Sequence, residues 1–416
     1  MSLDELTDYA FNFIKDVEEK FGPRYSCSEA EMQANLWIKE EFSKYCDKTF
    51  IETFETWPNL YPQGFVKILG FLVGFAFILI PLIFPLPILA AIGISIGLYM
   101  FYDHLVHMKR YLKVFFKKGT SSNAWGRIKP TGEIKWRIVF EGHTDSAKQM
   151  RLGERAKPNV IPLILGFVYV AFTLVFSIMK FIYVLIGGTA VIIFNFWIIQ
   201  WTSLDTIYFV SLIFLYPFFI YLIRMFTGNT AVPGAADNLS ASAISAALGK
   251  YYSKNRLKNV ELIIASMGSE ENGDRGAEAF VEKHGDLLKN SYAFVLETIG
   301  QGDRLYIIEK DFHTYGKKYS PEVIERIEKA HELYKKEDPH VIYLEKGGVP
   351  IGSSDACMYL NAGYKSAFII VVSKETRKPR YWHSMEDTWK NIDKKVLKDV
   401  IGVCLKFVEL VDKEFE

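Results

Sequence analysis

Five short segments of the chain carry residue types that together could run hydrolytic chemistry. They are His143-Thr144-Asp145, Ala236-Asp237-Asn238, Ser269-Glu270-Glu271, Leu296-Glu297-Thr298 and Trp382-His383-Ser384. Two imidazoles (His143, His383) and three carboxylates (Asp237, Glu271, Glu297) suffice to hold two divalent ions about 3.5–4 Å apart around a shared ligand. Glu270, beside a ligand, is left over as a base. Imidazole and carboxylate donors suit two Zn2+ ions, and another divalent metal would fit the same set. Two cations bring a shared water toward a neutral pKa and stabilise a tetrahedral oxyanion. A nearby carboxylate then moves the proton from that water to a leaving amine. Asp145, two residues beyond His143, is placed to accept the other imidazole N–H and fix its tautomer. Taken singly, these signals are weak, since Glu-Glu pairs are usually solvated and Asp-Asn before a helix is usually a cap. The ordered set is what is specific.

The elements that must position these groups read as α/β. Apolar, β-branched runs over Ile134 to Glu141, Val260 to Met267, Tyr292 to Leu296 and Ala367 to Val372 predict strands, and Thr49 to Thr53 alternates. Helical periodicity runs through Glu29 to Tyr45, Ser240 to Tyr252, Pro321 to Lys335 and Lys394 to Lys413. Such alternation implies a mostly parallel sheet covered on both faces. His143, the Glu270–Glu271 pair and Glu297 then fall at strand carboxyl ends, where open α/β sheets gather ligands.

Two apolar blocks interrupt this pattern. Gly64 to Tyr102 is uncharged after Lys67 and has Pro81, Pro85 and Pro87 at its middle, as expected of a two-span hairpin. Val160 to Phe226 holds three apolar runs, split by Lys180 and by Gln200 to Asp205. His143 precedes this second block and Asp237 follows it, yet both must reach one metal site, so the number of crossings between them is even. Two crossings there, four in all, are expected, with one run re-entrant, interfacial or fused to a neighbour; four crossings within the second block are the alternative. Eleven residues separate Phe226 from Asp237, a reach of at most about 36–40 Å. Lys109, Arg110, Lys113, Lys117 and Lys118 follow the first block, Arg151, Arg155 and Lys157 precede the second, and Arg224 ends it. Positive residues on the cytoplasmic side then put the catalytic domain in the cytoplasm of a multi-pass membrane protein.

Composition agrees with a membrane-attached enzyme: 416 residues, half of them hydrophobic and 15% aromatic, with a formal net charge of +1. The balanced charge excludes a nucleic-acid partner, and the basic run Lys109 to Lys118 reads as lipid-headgroup contact. The four scattered cysteines (Cys27, Cys46, Cys357, Cys404) read as reduced structural thiols, and the charged segment Met1 to Lys20 as a helix rather than a cleavable signal. His104 and His107 read as interfacial anchors, and His284, His313, His331 and His340 as surface residues. Gly352-Ser353-Ser354-Asp355 shows no base or orienting acid for a catalytic serine.

The ordered set resembles the zinc aminopeptidase family that also includes glutamate carboxypeptidases, transferrin receptors and glutaminyl cyclases. The resemblance rests on His143-Thr-Asp-Ser, Gly234-Ala-Ala-Asp-Asn, Ser269-Glu-Glu-Asn-Gly, Leu296-Glu-Thr-Ile-Gly and Tyr381-Trp-His-Ser-Met-Glu-Asp-Thr. Gly22-Pro-Arg-Tyr-Ser-Cys-Ser-Glu and Asn123-Ala-Trp-Gly-Arg-Ile are similar to the family's opening helix and second strand. It implies a three-layer αβα di-zinc exopeptidase domain over 1–60, 105–157 and 228–416, with a transmembrane hairpin at 61–104 and a transmembrane block at 158–227. By the same resemblance His143 and Glu297 serve one zinc, Glu271 and His383 the other, Asp237 bridges and Glu270 is the general base. The implied activity is a peptidase, an aminopeptidase first, acting on peptides at a lipid bilayer; a homo-oligomer is compatible with it. Glu297 stands where the aminopeptidases usually carry Asp, which keeps a carboxypeptidase or amidohydrolase as the alternative. A receptor or scaffold with the same fold is the non-catalytic alternative.

Overall fold

The computed structural model describes residues 1–82, 86–151, 160–186, 192–196, 199–348 and 352–416. The described helices are α1 (Leu3–Phe21), α2 (Glu29–Ser43), α3 (Gln63–Leu79), α4 (Leu86–His107), α5 (Val160–Leu185), α6 (Ser203–Phe226), α7 (Ser240–Lys254), α8 (Arg275–Leu288), α9 (Pro321–Glu337), α10 (Ala356–Asn361) and α11 (Lys394–Glu414). The strands are β1 (Lys48–Thr56), β2 (Gly119–Ile128), β3 (Trp136–His143), β4 (Ile192–Phe196), β5 (Ile199–Thr202), β6 (Val260–Met267), β7 (Ser291–Glu297), β8 (Arg304–Lys310), β9 (Tyr343–Gly348) and β10 (Lys365–Val372). Two compact units divide them: Met1–Pro58, Phe116–Gln149 and Asn229–Glu416 form one, Asn59–Phe115 and Met150–Gly228 the other.

The first unit is built on an eight-stranded sheet of order β1-β2-β6-β3-β7-β10-β8-β9. Its centre, β6-β3-β7-β10, is parallel throughout. Every residue of β6 and β7 is buried. A strand buried on both sides needs a helical layer over each face, and its sequence is correspondingly a continuous apolar run rather than an alternation. The α/β expectation of a mostly parallel, three-layer sheet is thus met; β6 coincides with the run read from the sequence, and the ends of the other strands differ from theirs by at most three residues.

Both interruptions of this unit leave and re-enter at adjacent points. Thr56, at the end of β1, is the cross-strand partner of Gly119, at the start of β2. The second interruption is closed by a short antiparallel stem: the Gln149 amide donates to Thr230 O at 2.8 Å and the Val232 amide to Ala147 O at 2.9 Å. Arg24, fully buried, braces that stem by donating to Thr144 O and Gly234 O, both at 2.9 Å, from Nε and a terminal guanidinium nitrogen.

The second unit inverts the usual patterning. Its interior is a small apolar cluster including Val73, Ile94, Tyr169, Phe176, Tyr208 and Phe219. Its outside is also apolar, with Phe71, Ile161, Ile213 and Phe214 each about two-thirds exposed or more. Close packing is allowed by Gly166, where a Cβ would meet Leu222 Cβ and Phe218 O at 2.7 Å, the small-residue contact common between membrane helices. Among the described residues, three helices are long and apolar enough to cross a membrane, over Leu86–Asp103, Ile161–Leu185 and Ser203–Phe226; Gln63–Ala76 is apolar but shorter. Lys180 does not end the first helix: α5 runs through it to Leu185, and the described residues of the middle run beyond that helix lie in the antiparallel ribbon β4–β5. Ile192, Ile193, Phe194, Phe196 and Ile199 supply the β-branched and aromatic residues that favour strand geometry. Lys180, which divides the apolar runs in sequence, is buried and paired with Asp205, both carboxylate oxygens standing 2.7 Å from its Nζ. Of the residues invoked for the hairpin and for orientation, Pro85, Arg155 and Lys157 lie outside the described residues, as does the side chain of His104; the side chain of His107 is engaged by Asp103.

Candidate metal centre

The five sequence segments converge at the carboxyl edge of the parallel strands. Register does most of this work. His143, the last residue of β3, is level with Met267, the last of β6. It is also level with Glu297, three residues beyond the Phe140–Phe294 pair in β7. Glu270 and Glu271 follow β6 after Ser269, whose φ of 54° turns the chain back across the sheet edge. Thr298 (φ 45°) and His383 (φ 52°) make left-handed turns beside their own ligand groups. Non-glycine residues held there cost free energy and gather at functional sites. Asp237 is delivered by the irregular turn Ala235–Leu239 before α7. That helix reaches β3 because Gly142 has no side chain: a Cβ there would lie 2.2 Å from Ala241 Cβ.

Asp237 sits between the two imidazoles. Its Oδ1 is 3.3 Å from His143 Nε2 and its Oδ2 is 3.3 Å from His383 Nε2. Glu271 Oε2 lies 3.3 Å from His383 Nε2, while Glu297 Oε1 and Glu270 Oε2 lie 3.8 and 3.6 Å from His143 Nε2. Two N/O donors on one tetrahedral zinc, with bonds of about 2.0–2.1 Å, stand about 3.3 Å apart. His143 Nε2 and Glu271 Oε1 are moreover buried without a hydrogen-bond partner. A buried imidazole nitrogen facing three carboxylates without a hydrogen bond is an arrangement that a metal ion satisfies. The residues present therefore suit zinc.

Glu270 and Glu297 are distinguished by anchoring rather than by distance. Glu297 is held by Thr298 Oγ1 at 2.9 Å and Asn238 Nδ2 at 3.3 Å. Among the described residues, no donor is hydrogen-bonded to the Glu270 carboxylate. Burial raises Glu270 well above the usual carboxylate range, and the charges of Asp274, Glu297 and Glu271 add to this against the opposing pull of His143. Burial likewise pushes Glu297 up to about 7, with His143 opposing. Burial alone would lower the imidazoles, but Glu271 and Asp237 outweigh it at His383 and lift it to about 10. His143 rises well above its ordinary value for the same reason, with Glu270 the leading charge. Ligation needs neutral imidazole, so metal entering this site must displace those protons. Zinc binding to the apo-protein at neutral pH is expected to release protons, and apparent affinity to rise with pH. Calorimetric titration in two buffers of different ionisation enthalpy measures this; equal heats in both would contradict it.

Asp145 acts differently from the sequence expectation. The ring N–H of His143 faces the main-chain oxygen of Asp145 at 2.9 Å, with the carboxylate 3.5 Å away. The carboxylate instead accepts the amides of Glu270 at 2.9 Å and Glu271 at 3.2 Å, and the Ser26 hydroxyl at 2.6 Å. The two-residue spacing places the carbonyl, not the side chain, under the imidazole. Asp145 thus aims the glutamate pair. Asp145→Ala is expected to weaken zinc affinity or turnover about 10- to 100-fold, read by zinc competition titration; wild-type affinity and rate together would remove this positioning role.

Other supports were not read from sequence. Asp387 accepts the amides of Ala236 at 2.7 Å and Asp237 at 3.2 Å, and Glu31 accepts the amide of Ser269 at 2.9 Å. Asp387 stands within a segment quoted for the family resemblance and Glu31 two residues beyond another, but only the fold shows their aim. His313 and His331, read as surface residues, are buried, His331 against Ile342 O at 2.8 Å. Ser353 meets His313 Nδ1 at 2.5 Å, so the serine loop does have an imidazole beside it. Asp274 crowds that same ring nitrogen at 3.6 Å, however, and a proton relay needs the two opposite nitrogens.

Residues 218–408 match the model of Peptidase family M28. The resemblance to the zinc aminopeptidases is borne out by this match and by the fold. A zinc aminopeptidase from Bacillus subtilis superposes with a TM-score of 0.56 at 15% identity, over 97% of this chain and 95% of that one. A glutaminyl cyclase from Bacteroides thetaiotaomicron gives 0.56 at 13%, over 97% of each. A Zn-dependent exopeptidase from Parabacteroides distasonis gives 0.53 at 12%, over 96% of each. No curated protein matches the chain. The M28 match takes in Asp237, Glu270, Glu271, Glu297 and His383 but begins after His143, on the far side of the second interruption. The solved structures share the fold, and the M28 match supports a metallopeptidase.

Proposed function

We propose that the chain is a membrane-attached di-zinc exopeptidase, an aminopeptidase first. The observation that carries the two-ion reading is the Asp237 carboxylate, with one oxygen 3.3 Å from each of two imidazoles. One ion would be held by His143, Glu297 and Asp237, the other by His383, Glu271 and Asp237. When bound, these ions supply Lewis acidity toward a scissile carbonyl and the water that attacks it. Glu270, whose carboxylate accepts no hydrogen bond among the described residues, would be free to take a proton from the attacking water and return it to the leaving amine. Asp145 keeps Glu270 and Glu271 splayed, and Asn238 and Thr298 keep Glu297 from rotating away.

The three long apolar helices, and an outer surface as apolar as the interior, support attachment to a bilayer. Arg151 and Arg224 line one cavity with Pro217, Ile220, Tyr221 and Met225, a composition suited to the headgroup level. With Lys109 to Lys118 they favour a cytoplasmic catalytic domain. Substrates would then be peptides at or near the membrane surface.

Digestion of a peptide library by purified, zinc-loaded protein, read by mass spectrometry, tests the activity. Loss of N-terminal residues is the expected result. Loss from the C-terminus would replace the aminopeptidase by a carboxypeptidase, in keeping with Glu297; cyclisation of N-terminal glutamine, or no change, would overturn a peptidase of either kind.

A further inference from the structure

Beside the turn that carries Glu270 lies a second cluster of buried donor atoms that the peptidase chemistry leaves unused. Asp274 stands immediately before α8, His313 in the short turn Phe312–Thr314 and Cys357 in the first turn of α10; they are 1%, 3% and 0% exposed. Asp274 Oδ2 is 3.6 Å from His313 Nδ1 and 3.7 Å from Cys357 Sγ. One donor atom from each lies within 4.8 Å of the other two. Donors on one tetrahedral zinc, with bonds of about 2.0–2.1 Å to N or O and about 2.3 Å to S, stand about 3.3–3.5 Å apart. Two of the three separations are thus within a few tenths of an ångström of those around one ion, and the third is no more than 4.8 Å.

Asp274 itself points to a ligand. It occupies the N-cap position of α8, where an aspartate ordinarily accepts a backbone amide. Its side chain makes no such bond. Instead Oδ2 faces the cysteine and histidine, and Oδ1 is buried with no hydrogen-bond partner. Glu141 Oε1 and Asp355 Oδ1 are also buried and unpartnered. Among the described residues, no lysine or arginine pairs with Asp274, Glu141 or Asp355. Buried carboxylates in such excess require protons or a cation.

We propose that Asp274, His313 and Cys357 form a third divalent-cation site, a zinc centre of carboxylate, imidazole and thiolate separate from the His143–Asp237–His383 pair. Ser353 Oγ is hydrogen-bonded to the same two atoms, at 3.3 Å from Asp274 Oδ2 and 2.5 Å from His313 Nδ1, and an ion would take its place between them. Binding converts the Cys357 thiol to a thiolate, and its proton goes to solvent. An ion here ties the start of α8, the Phe312–Thr314 turn and α10 together. The Asp274 amide donates to Glu270 O at 2.7 Å, so the same tie steadies the loop that presents the base.

Cobalt replacement of the metal in the full-length protein tests this, because the catalytic pair has no sulfur donor. Wild-type protein should show a thiolate-to-cobalt charge-transfer absorption and three metal equivalents by elemental analysis. Cys357→Ser should lose the absorption and one equivalent, whereas Asp237→Asn should keep the absorption while losing catalytic metal. Wild-type protein with no such absorption, or an absorption surviving both Cys357→Ser and His313→Ala, overturns the proposal; the wild-type reading stands even if a variant fails to fold. Failure of the peptidase reading would appear in the peptide library and leave this absorption untouched.

Discussion

Glu270→Gln is expected to lower peptide turnover by about 10²- to 10⁴-fold with zinc content unchanged. The amide has nearly the shape of the carboxylate, and the Glu270 main-chain N–H to Asp145 that aims the side chain is untouched. What is lost is the capacity to take a proton from water. Glu271→Gln, one residue along, should behave in the opposite way. Its Oε2 lies 3.3 Å from His383 Nε2 as a ligand would, so the expected result is loss of metal first and of activity as a consequence. Elemental analysis beside steady-state rates separates the two. A Glu270→Gln enzyme with near wild-type kcat would falsify the base assignment, and one that had lost zinc would make Glu270 a ligand.

The second large effect concerns stability. Asp205→Asn is expected to destabilise the apolar unit by about 3–5 kcal/mol. Lys180 and Asp205 are wholly buried, and the carboxylate also accepts the Thr202 amide at 2.6 Å and hydroxyl at 2.7 Å. Removing the negative charge leaves an ammonium group inside an apolar bundle with a weaker acceptor in place of its counter-ion. The pair itself need not stabilise the unit: Lys180→Met combined with Asp205→Leu should recover most of the loss, because an apolar replacement abolishes both desolvation costs. Thermal unfolding in detergent or nanodiscs reads both variants. Equal stability of Asp205→Asn and wild type would show that the ammonium group finds water or another acceptor.

What could be read from the sequence was whatever depends on local pattern. The buried strands announce themselves because both faces are covered, leaving apolar runs such as Leu262-Ile263-Ile264-Ala265, and the ligands stand at their ends. What could not be read depends on direction and on distant partners. Asp145 and His143 are two apart, but whether carbonyl or carboxylate meets the ring is decided by the path of the chain after β3. Arg24 braces carbonyls 120 and 210 residues away, so no window along the chain contains its reason for being buried. His313 lies among lysines and an aspartate in sequence, and only the return of α10 encloses it. Lys180 reads as a break between apolar runs, but its partner Asp205 lies 25 residues away, so α5 passes through it and the strands β4 and β5 follow only later.

The pairing of Thr56 with Gly119, and of Gln149 with Thr230, bears on how such a chain could arise and be handled. The entropy of closing a loop grows slowly, about 0.6 kcal/mol for each doubling of its length, and an insert whose own ends meet adds almost nothing to that. From the standpoint of the hydrolase core, each apolar block is then an exchangeable loop on a closed hairpin. Replacing both with short glycine-containing turns should yield a water-soluble chain in which His143 and Asp237 still meet.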